Sequence, residues 1–317
     1  MFKKLLAFGL VQLAIAMVSI AVWLYAPKSD RFVNNYLFGA LDNVERLKES
    51  LGEKRVILLG GSSLGLGVSA EQLSESLGIR VLNLGVHAGI GYEEMWEMYS
   101  AYMNPATDII VLSPEYSFVS NPGFGDEFGF IIFLSRDLGR MLHSPQYFPY
   151  VVRKSYEDLF YRVTHSRHHN DVYIRKAFNS HGDVVSHYRM KRTNFVCNAR
   201  MAGEKALDTY LEYISRTIIK DGFQVCYVPT TVPDSCCQKM DQMLEFQLRM
   251  GAFFHQDVDL VRGNLCFPDD LFFDTTYHMN YGGVERKTRI FLDRLKSCLG
   301  GACPARTESA SLAGGRQ

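Results

Sequence analysis

Short apolar runs alternate with segments of helical periodicity through most of this chain, and that alternation restricts the fold more than any other feature. Four runs of four residues, apolar apart from Asn83, are each followed within two residues by glycine or proline, at residues 56–59, 81–84, 109–112 and 225–228. Such short continuous runs are typical of strands that are buried on both faces. A fifth run at residues 258–261 continues the pattern. Strands that alternate with helices predict an α/β fold whose mostly parallel sheet is flanked by helices.

Helical segments lie between and after these strands. Ser69-Ala70-Glu71-Gln72 resembles a capping box that opens a helix through Leu77. Further periodic segments cover residues 92–103, 207–218, 243–254 and 284–295. Between residues 116 and 200 the alternation fails. We therefore expect one α/β domain at residues 55–298, with an inserted subdomain at about 117–200.

The insertion is basic and rich in aromatic side chains. From Arg140 to Arg192 it holds ten Lys or Arg against four Asp or Glu, and six of the nine histidines. It leaves the carboxyl end of the third strand, so we expect it to lie over the end of the sheet where ligands bind. Two interpretations stay open: a solvated subdomain over the sheet edge, or a face for an anionic glycan, a lipid headgroup or a partner membrane protein. His165, His168 and His169 lack a supporting carboxylate spacing, so no metal is expected.

The N-terminus carries an uncharged apolar run at residues 5–25, which spans roughly 30 Å as a helix, the thickness of a bilayer core. Lys3 and Lys4 precede the run, and Trp23 and Tyr25 close it. The run continues for nine residues past Ala14-Ile15-Ala16, which favours a retained anchor at residues 1–27 over a cleaved signal peptide. We expect a single-pass protein of the inner (cytoplasmic) membrane with an extracytoplasmic domain. A linker helix is expected at residues 28–54 and a disordered tail at 299–317.

Overall charge and cysteine content restrict the partners and the compartment that we can expect. The chain has 34 Lys or Arg and 34 Asp or Glu, and this neutrality argues against general nucleic-acid binding. Seven cysteines leave at least one without a partner if the others pair, and their spacing does not indicate a zinc site. The pairing itself stays open.

Two distant segments carry the residue types of nucleophilic acyl transfer. Ser62 follows the first strand and two glycines, which place its hydroxyl on a tight turn before a helix. Ser63 is the competing hydroxyl, and a simple connecting turn is the alternative. Asp274 and His278 lie four residues apart just before the last helix, where a carboxylate can orient an imidazole base. Alternatively, this is a surface loop in which Asn280 caps the helix.

Together the two segments resemble the SGNH/GDSL hydrolase superfamily. Gly60-Gly61-Ser62-Ser63 matches its first block, with Gly61 in the aspartate position, and residues 83–89 resemble its second block. Asp274 and His278 resemble the last block, with one residue more between them than is usual. The resemblance covers roughly residues 55–117 and 205–297. It implies a flavodoxin-like strand order, a catalytic triad of Ser62, His278 and Asp274, Gly89 as an oxyanion donor, and no cofactor.

Glu115 stands where the family has asparagine. An ionised carboxylate cannot donate a hydrogen bond to an oxyanion, so the donors would be the Ser62 and Gly89 backbone N–H groups, or another group such as Asn121. A protonated Glu115 is the alternative. We expect the ionised form, because the basic insertion offers arginines nearby.

The anchored branch of the family includes the alginate acetylation proteins and the D-alanyl transfer protein of lipoteichoic-acid synthesis. This resemblance implies an extracytoplasmic acyltransferase or esterase that acts on O-acyl groups of a cell-envelope glycan. Its expected partners are the membrane, that glycan and a membrane-bound O-acyltransferase. The alternative is a non-catalytic accessory protein that binds glycan or docks on such an acyltransferase, and a lipid esterase is a third reading.

Overall fold

A computed structural model describes residues 2–26, 28–123, 125–164, 172–190, 193, 197, 201–254 and 266–302. The strands are β1 (Arg55–Leu59), β2 (Arg80–Asn83), β3 (Asp108–Leu112), β4 (Gln224–Tyr227), β5 (Val232–Pro233) and β6 (Cys266–Phe267). The helices are α1 (Phe2–Tyr25), α2 (Asp30–Val33), α3 (Gly39–Glu49), α4 (Ser62–Gly65), α5 (Ala70–Leu77), α6 (Tyr92–Tyr99), α7 (Asp126–Ser135), α8 (Leu138–His143), α9 (Phe148–Thr164), α10 (Glu204–Tyr213), α11 (Met240–Phe253) and α12 (Tyr281–Ser297).

The central sheet is parallel, with the strand order β2-β1-β3-β4. The α/β prediction is confirmed, and these four strands follow the order of a flavodoxin-like sheet. β5 and β6 form a separate parallel pair, and the predicted strand at residues 258–261 lies outside the described part of the chain. Side chains alternate along β1, so Ile57 joins the larger core, while Val56 joins the core under α5 and α12. Helices therefore cover both faces.

Several predicted helix boundaries are confirmed. Ser69 caps α5 by accepting a hydrogen bond from Gln72 N at 3.2 Å, and Asn280 caps α12 by accepting one from Gly283 N at 3.1 Å. The segment at 28–54 is more than a linker. Tyr36, Ala40 and Leu47 are buried in the larger core, so this segment packs as part of the domain.

The insertion returns to the carboxyl end of β1. The Asp183 carboxylate accepts hydrogen bonds from Ala70 N and Glu71 N at the start of α5, and Val184 N donates to Gly65 O at 2.8 Å. The expected position is confirmed for residues 172–190. His165, His168 and His169 lie outside the described residues.

Three disulfides join Cys197 to Cys236, Cys226 to Cys298, and Cys237 to Cys266. Their Cα–Cα distances of 5.4, 6.6 and 6.4 Å are ordinary for such bonds. Cys303 and the rest of 303–317 lie outside the described residues, whereas Cys298–Ala302 continues α12 as a π-helical turn. At the other end, α1 has a mean hydropathy of 2.4 over 18 residues and is long enough to cross a membrane.

Candidate active site

Ser62 lies where β1 gives way to α4. Gly60 and Gly61 connect the two elements, and neither position has room for a side chain. A Cβ at Gly60 would lie 3.0 Å from the Ser113 carbonyl oxygen, and one at Gly61 would lie 2.6 Å from Glu115 Oε1. The turn therefore brings Ser62 against β3 and leaves its hydroxyl facing the carboxyl end of the sheet.

His278 and Asp274 meet Ser62 from the loop before α12. His278 Nε2 is 2.9 Å from Ser62 Oγ, and His278 Nδ1 is 2.9 Å from Asp274 Oδ1. The structure thus brings together the three residues predicted from sequence, with the carboxylate on the ring nitrogen that faces away from the serine. The extra residue is accommodated because Thr275 Oγ1 accepts hydrogen bonds from the backbone N–H groups of Tyr277 and His278.

Tyr173, from the insertion, completes this chain of hydrogen bonds. Its hydroxyl donates to Asp274 Oδ2 and lies 2.9 Å from His278 Nδ1. Burial by itself raises the pKa of the Asp274 carboxyl, but hydrogen bonds from His278 and Tyr173 outweigh burial and hold the pKa below its ordinary value. Asp274 is thereby kept ionised. The sequence gives no sign of this role, because Tyr173 is one of 17 tyrosines and belongs to no periodic pattern.

We expect Tyr173→Phe to lower turnover about tenfold, because one hydrogen bond to a charged group is lost. The variant should also be less stable at neutral pH. A depressed carboxyl pKa stabilises the fold above the unfolded pKa of about 4, and the effect is lost as pH falls through the folded pKa. The difference in the free energy of unfolding between wild type and Tyr173→Phe should therefore disappear at acid pH. Denaturant unfolding at several pH values measures it, and a gap that persists in acid would contradict this role.

Glu115 is buried beside the serine. Its Oε1 accepts hydrogen bonds from Ser63 N at 2.7 Å and from Ser62 Oγ at 3.1 Å. The single hydroxyl proton of Ser62 can be donated to only one acceptor at a time, so Glu115 and His278 compete for it. The expected arginine partners are not found among the described residues of the insertion. Within the described part of the chain, the charge of Glu115 interacts with that of Lys287 of α12.

Lys287 is 1 % exposed, and its Nζ donates to Ser63 O at 3.0 Å. Desolvation lowers the pKa of this ammonium group to about 8, although the charge of Glu115 acts to raise it. Between about pH 8 and 10.4 the unfolded chain then binds more protons than the folded chain, so stability rises with pH. We expect the free energy of unfolding of wild type relative to Lys287→Met to increase over this window by on the order of 2 kcal/mol. Denaturant titrations at each pH test this, and a constant difference would contradict it.

Glu115 fills the space that a side chain at position 61 would need. We expect Gly61→Asp to destabilise the protein by roughly 1–3 kcal/mol through overpacking, with charge repulsion in addition. Gly61→Asp combined with Glu115→Asn should recover most of that loss. Thermal unfolding measures both. Gly203→Asp is the matched control, since a Cβ there meets nothing within 4 Å. No recovery in the double variant would show that the two positions are not coupled.

The predicted oxyanion donors are present but engaged. Gly89 N donates to His87 Nδ1 at 3.0 Å, and Asn121 Nδ2 donates to Ala88 O at 3.0 Å. Both donors are hydrogen-bonded to neighbouring groups, and the oxyanion role expected for Gly89 or for Asn121 stays a prediction. Among the described residues, none accepts a hydrogen bond from Ser62 N, the first amide of α4. An oxyanion hole with two donors therefore requires His87 to release Gly89.

A cavity of about 420 Å³ opens above Ser62. Its wall combines apolar surface with hydroxyl, amide, imidazole and carboxyl groups. Among the described residues it carries no lysine or arginine, and it is formed by Ser62, His87, Ala88, Gly89, Glu115, Ser117, Asn121, Thr275, Tyr277 and His278. The basic side chains that the structure describes in the insertion thus do not line it. Asp234, Cys237 and Cys266 have metal-ligand spacing, but the two sulfurs are joined in a disulfide and offer no thiolate.

Comparisons of this chain with protein-family models, with curated proteins and with solved structures found no match.

Proposed function

We propose that this chain is a membrane-anchored serine acyltransferase or esterase of the SGNH type. Its proposed substrates are O-acyl groups of a cell-envelope glycan. The observation that carries the proposal is the continuous hydrogen-bonded series from Ser62 through His278 to Asp274, with 2.9 Å at each step. This series supports the roles of nucleophile, base and orienting carboxylate, and it joins the turn after β1 to the loop before α12, which are far apart in the sequence.

In the proposed reaction, His278 Nε2 takes the Ser62 proton while Ser62 Oγ attacks the carbonyl carbon of an acyl ester. The tetrahedral oxyanion accepts hydrogen bonds from Ser62 N and, once His87 has released it, from Gly89 N. The leaving alkoxide takes the proton from His278, and the acyl group stays on Ser62. A hydroxyl of the acceptor, deprotonated by His278, then attacks the acyl carbonyl carbon. The bond to Ser62 Oγ breaks, and Ser62 takes the proton back from His278.

Glu115 distinguishes transfer from hydrolysis in this scheme. An ionised carboxylate 3.1 Å from Ser62 Oγ repels the developing oxyanion, so the attack step is slow with a small ester. An acceptor that is already bound during the attack on the donor, displaces His87 and supplies hydroxyl donors would offset this repulsion. We therefore expect slow hydrolysis of small esters and faster transfer to a polyhydroxylated acceptor.

Different observations support the proposed compartment and the proposed substrate class. Three disulfides among the described residues fit an oxidising compartment outside the cytoplasm. Hydroxyl and amide side chains of Ser117, Asn121 and Thr275 in the cavity wall suit the hydroxyl groups of a sugar.

A non-catalytic accessory protein is the second candidate. Glu115 against the serine, together with the engaged amides of Gly89 and Asn121, favours it. Such a protein would use the cavity to bind glycan, or would dock on a membrane-bound O-acyltransferase.

A fluorophosphonate probe decides between the two candidates. With the full-length protein in detergent we expect covalent labelling, and mass spectrometry of the digested protein should place the label on Ser62. Heat-denatured protein is the control for non-specific reaction. Label on another residue, or none at probe concentrations that saturate a known serine esterase, would support the accessory protein instead.

A further inference from the structure

The anchor helix is partly covered by its own domain. Ser19 and Trp23 are buried, with Ser19 Oγ 3.4 Å from Tyr156 OH of α9 and Trp23 Nε1 donating to Phe133 O at 3.0 Å. From Ala16 to Leu24 one side of α1 therefore lies against protein, whereas Leu5 to Ile15 are exposed on all sides.

The part of α1 that is exposed on all sides is too short to cross a bilayer. Leu5 to Ile15 is a helix of roughly 16 Å, and the hydrocarbon core is about 30 Å thick. Lys3 and Lys4 prevent the core from extending further toward the N-terminus. About 14 Å of the core must therefore surround Ala16 to Leu24, the part that packs against α7 and α9. Tilting of the helix would increase this requirement.

The surface beside that part of α1 is apolar. On α9, Tyr156, Leu159 and Phe160 are 44 %, 45 % and 69 % exposed. On α8, Leu138 and Leu142 are 41 % and 71 % exposed. α8 begins just after Arg136, whose guanidinium donates to Leu24 O and Ala26 O at the end of α1.

Two of the charged side chains of α9 lie on another side of that helix. Lys154 pairs with Glu157, and both are offset around the helix from Leu159. Arg153 shares the side of Tyr156 and Phe160, one turn nearer the start of α9, where its long side chain can keep the guanidinium at the membrane surface. A helix with one apolar and one charged side is suited to lie at a membrane surface, with its apolar side about 5–10 Å deep.

We propose that Tyr156, Leu159, Phe160, Leu138 and Leu142 form a lipid face that is immersed in the bilayer beside α1. The inference rests on the anchoring part of the proposed function and is independent of the chemistry of Ser62. The position of this lipid face also determines how far the cavity lies from the membrane. α7 runs from Glu127, beside Gly89, to its C-cap Arg136 at the end of α1, a length of roughly 15 Å. The cavity is thus one short helix away from the lipid, within reach of a membrane-borne acyl donor.

Tryptophan fluorescence in vesicles tests the lipid face. The full chain carrying Phe160→Trp is reconstituted in phosphatidylcholine and phosphatidylglycerol whose acyl chains are brominated, and the wild-type signal of Trp23 and Trp96 is subtracted. The control is Glu75→Trp, exposed on α5 under the opposite face of the sheet. We expect brominated lipid to quench the added signal of Phe160→Trp at least about twofold more than that of Glu75→Trp.

Two results would overturn the proposal. Quenching of Phe160→Trp by aqueous iodide and not by brominated lipid would mean that the bilayer thins around the anchor instead. Protection from both quenchers would mean that a protein surface, such as a second copy of this chain, covers the face. Labelling of Ser62 by the fluorophosphonate probe is measured separately, so failure of one proposal does not conceal failure of the other.

Discussion

Ser62→Ala is expected to reduce acyl-ester turnover on the order of 10⁵- to 10⁶-fold, because loss of a nucleophile leaves only binding and oxyanion stabilisation. The Nε2 atom of His278 would then lose the hydroxyl that it contacts at 2.9 Å, that of Ser62. The fold should be unaffected, as the change removes one oxygen from a small side chain. Turnover of a small acetyl ester and transfer to a glycan acceptor are both to be measured.

Ser63→Ala is the matched control for this experiment. Ser63 is the next residue in α4, its side chain is fully buried, and its Oγ has no hydrogen-bond partner among the described residues. We expect its turnover to stay within a few-fold of wild type. If Ser63→Ala abolished activity while Ser62→Ala retained it, the assignment of the nucleophile would be reversed.

Asp274→Asn is expected to lower turnover about 10⁴-fold while leaving the fold intact. The amide can still contact His278 Nδ1, but as a donor it would favour the tautomer that presents an N–H to Ser62, and the imidazolium would lose its stabilising charge. Asp269→Asn and Asp270→Asn are suitable controls, because both carboxyls lie outside the contacts of His278. Wild-type turnover in Asp274→Asn would remove this residue from the mechanism.

The parts of the fold that sequence could predict are those set by local patterns. Continuous apolar runs indicated the four central strands, and Ser69 marked the start of α5. Ser62, Asp274 and His278 could be paired because each lies at the end of an element, where the chain turns toward the same edge of the sheet. Such positions are defined by short-range chemistry.

What sequence did not predict depends on contacts between distant segments. Lys287 occupies a helix position that would suit a solvent-exposed lysine, yet it is buried under Ser63. Tyr173 reaches Asp274 only because the insertion folds back over the sheet. The partner of the Gly89 N–H could not be predicted either, because it depends on the ring orientation of His87.

The disulfides affect only one of the two segments that form the site, so the two segments can become rigid at different times. Ser62 depends on β1 and α4, which contain no cysteine. Asp274 and His278 lie between Cys266 and Cys298, whose partners, Cys237 and Cys226, hold the segment at both ends. In the proposed extracytoplasmic enzyme, these two bridges would restrain the segment that carries the base and leave the segment that carries the nucleophile unaffected. Reduction would then loosen the placement of His278 and not that of Ser62.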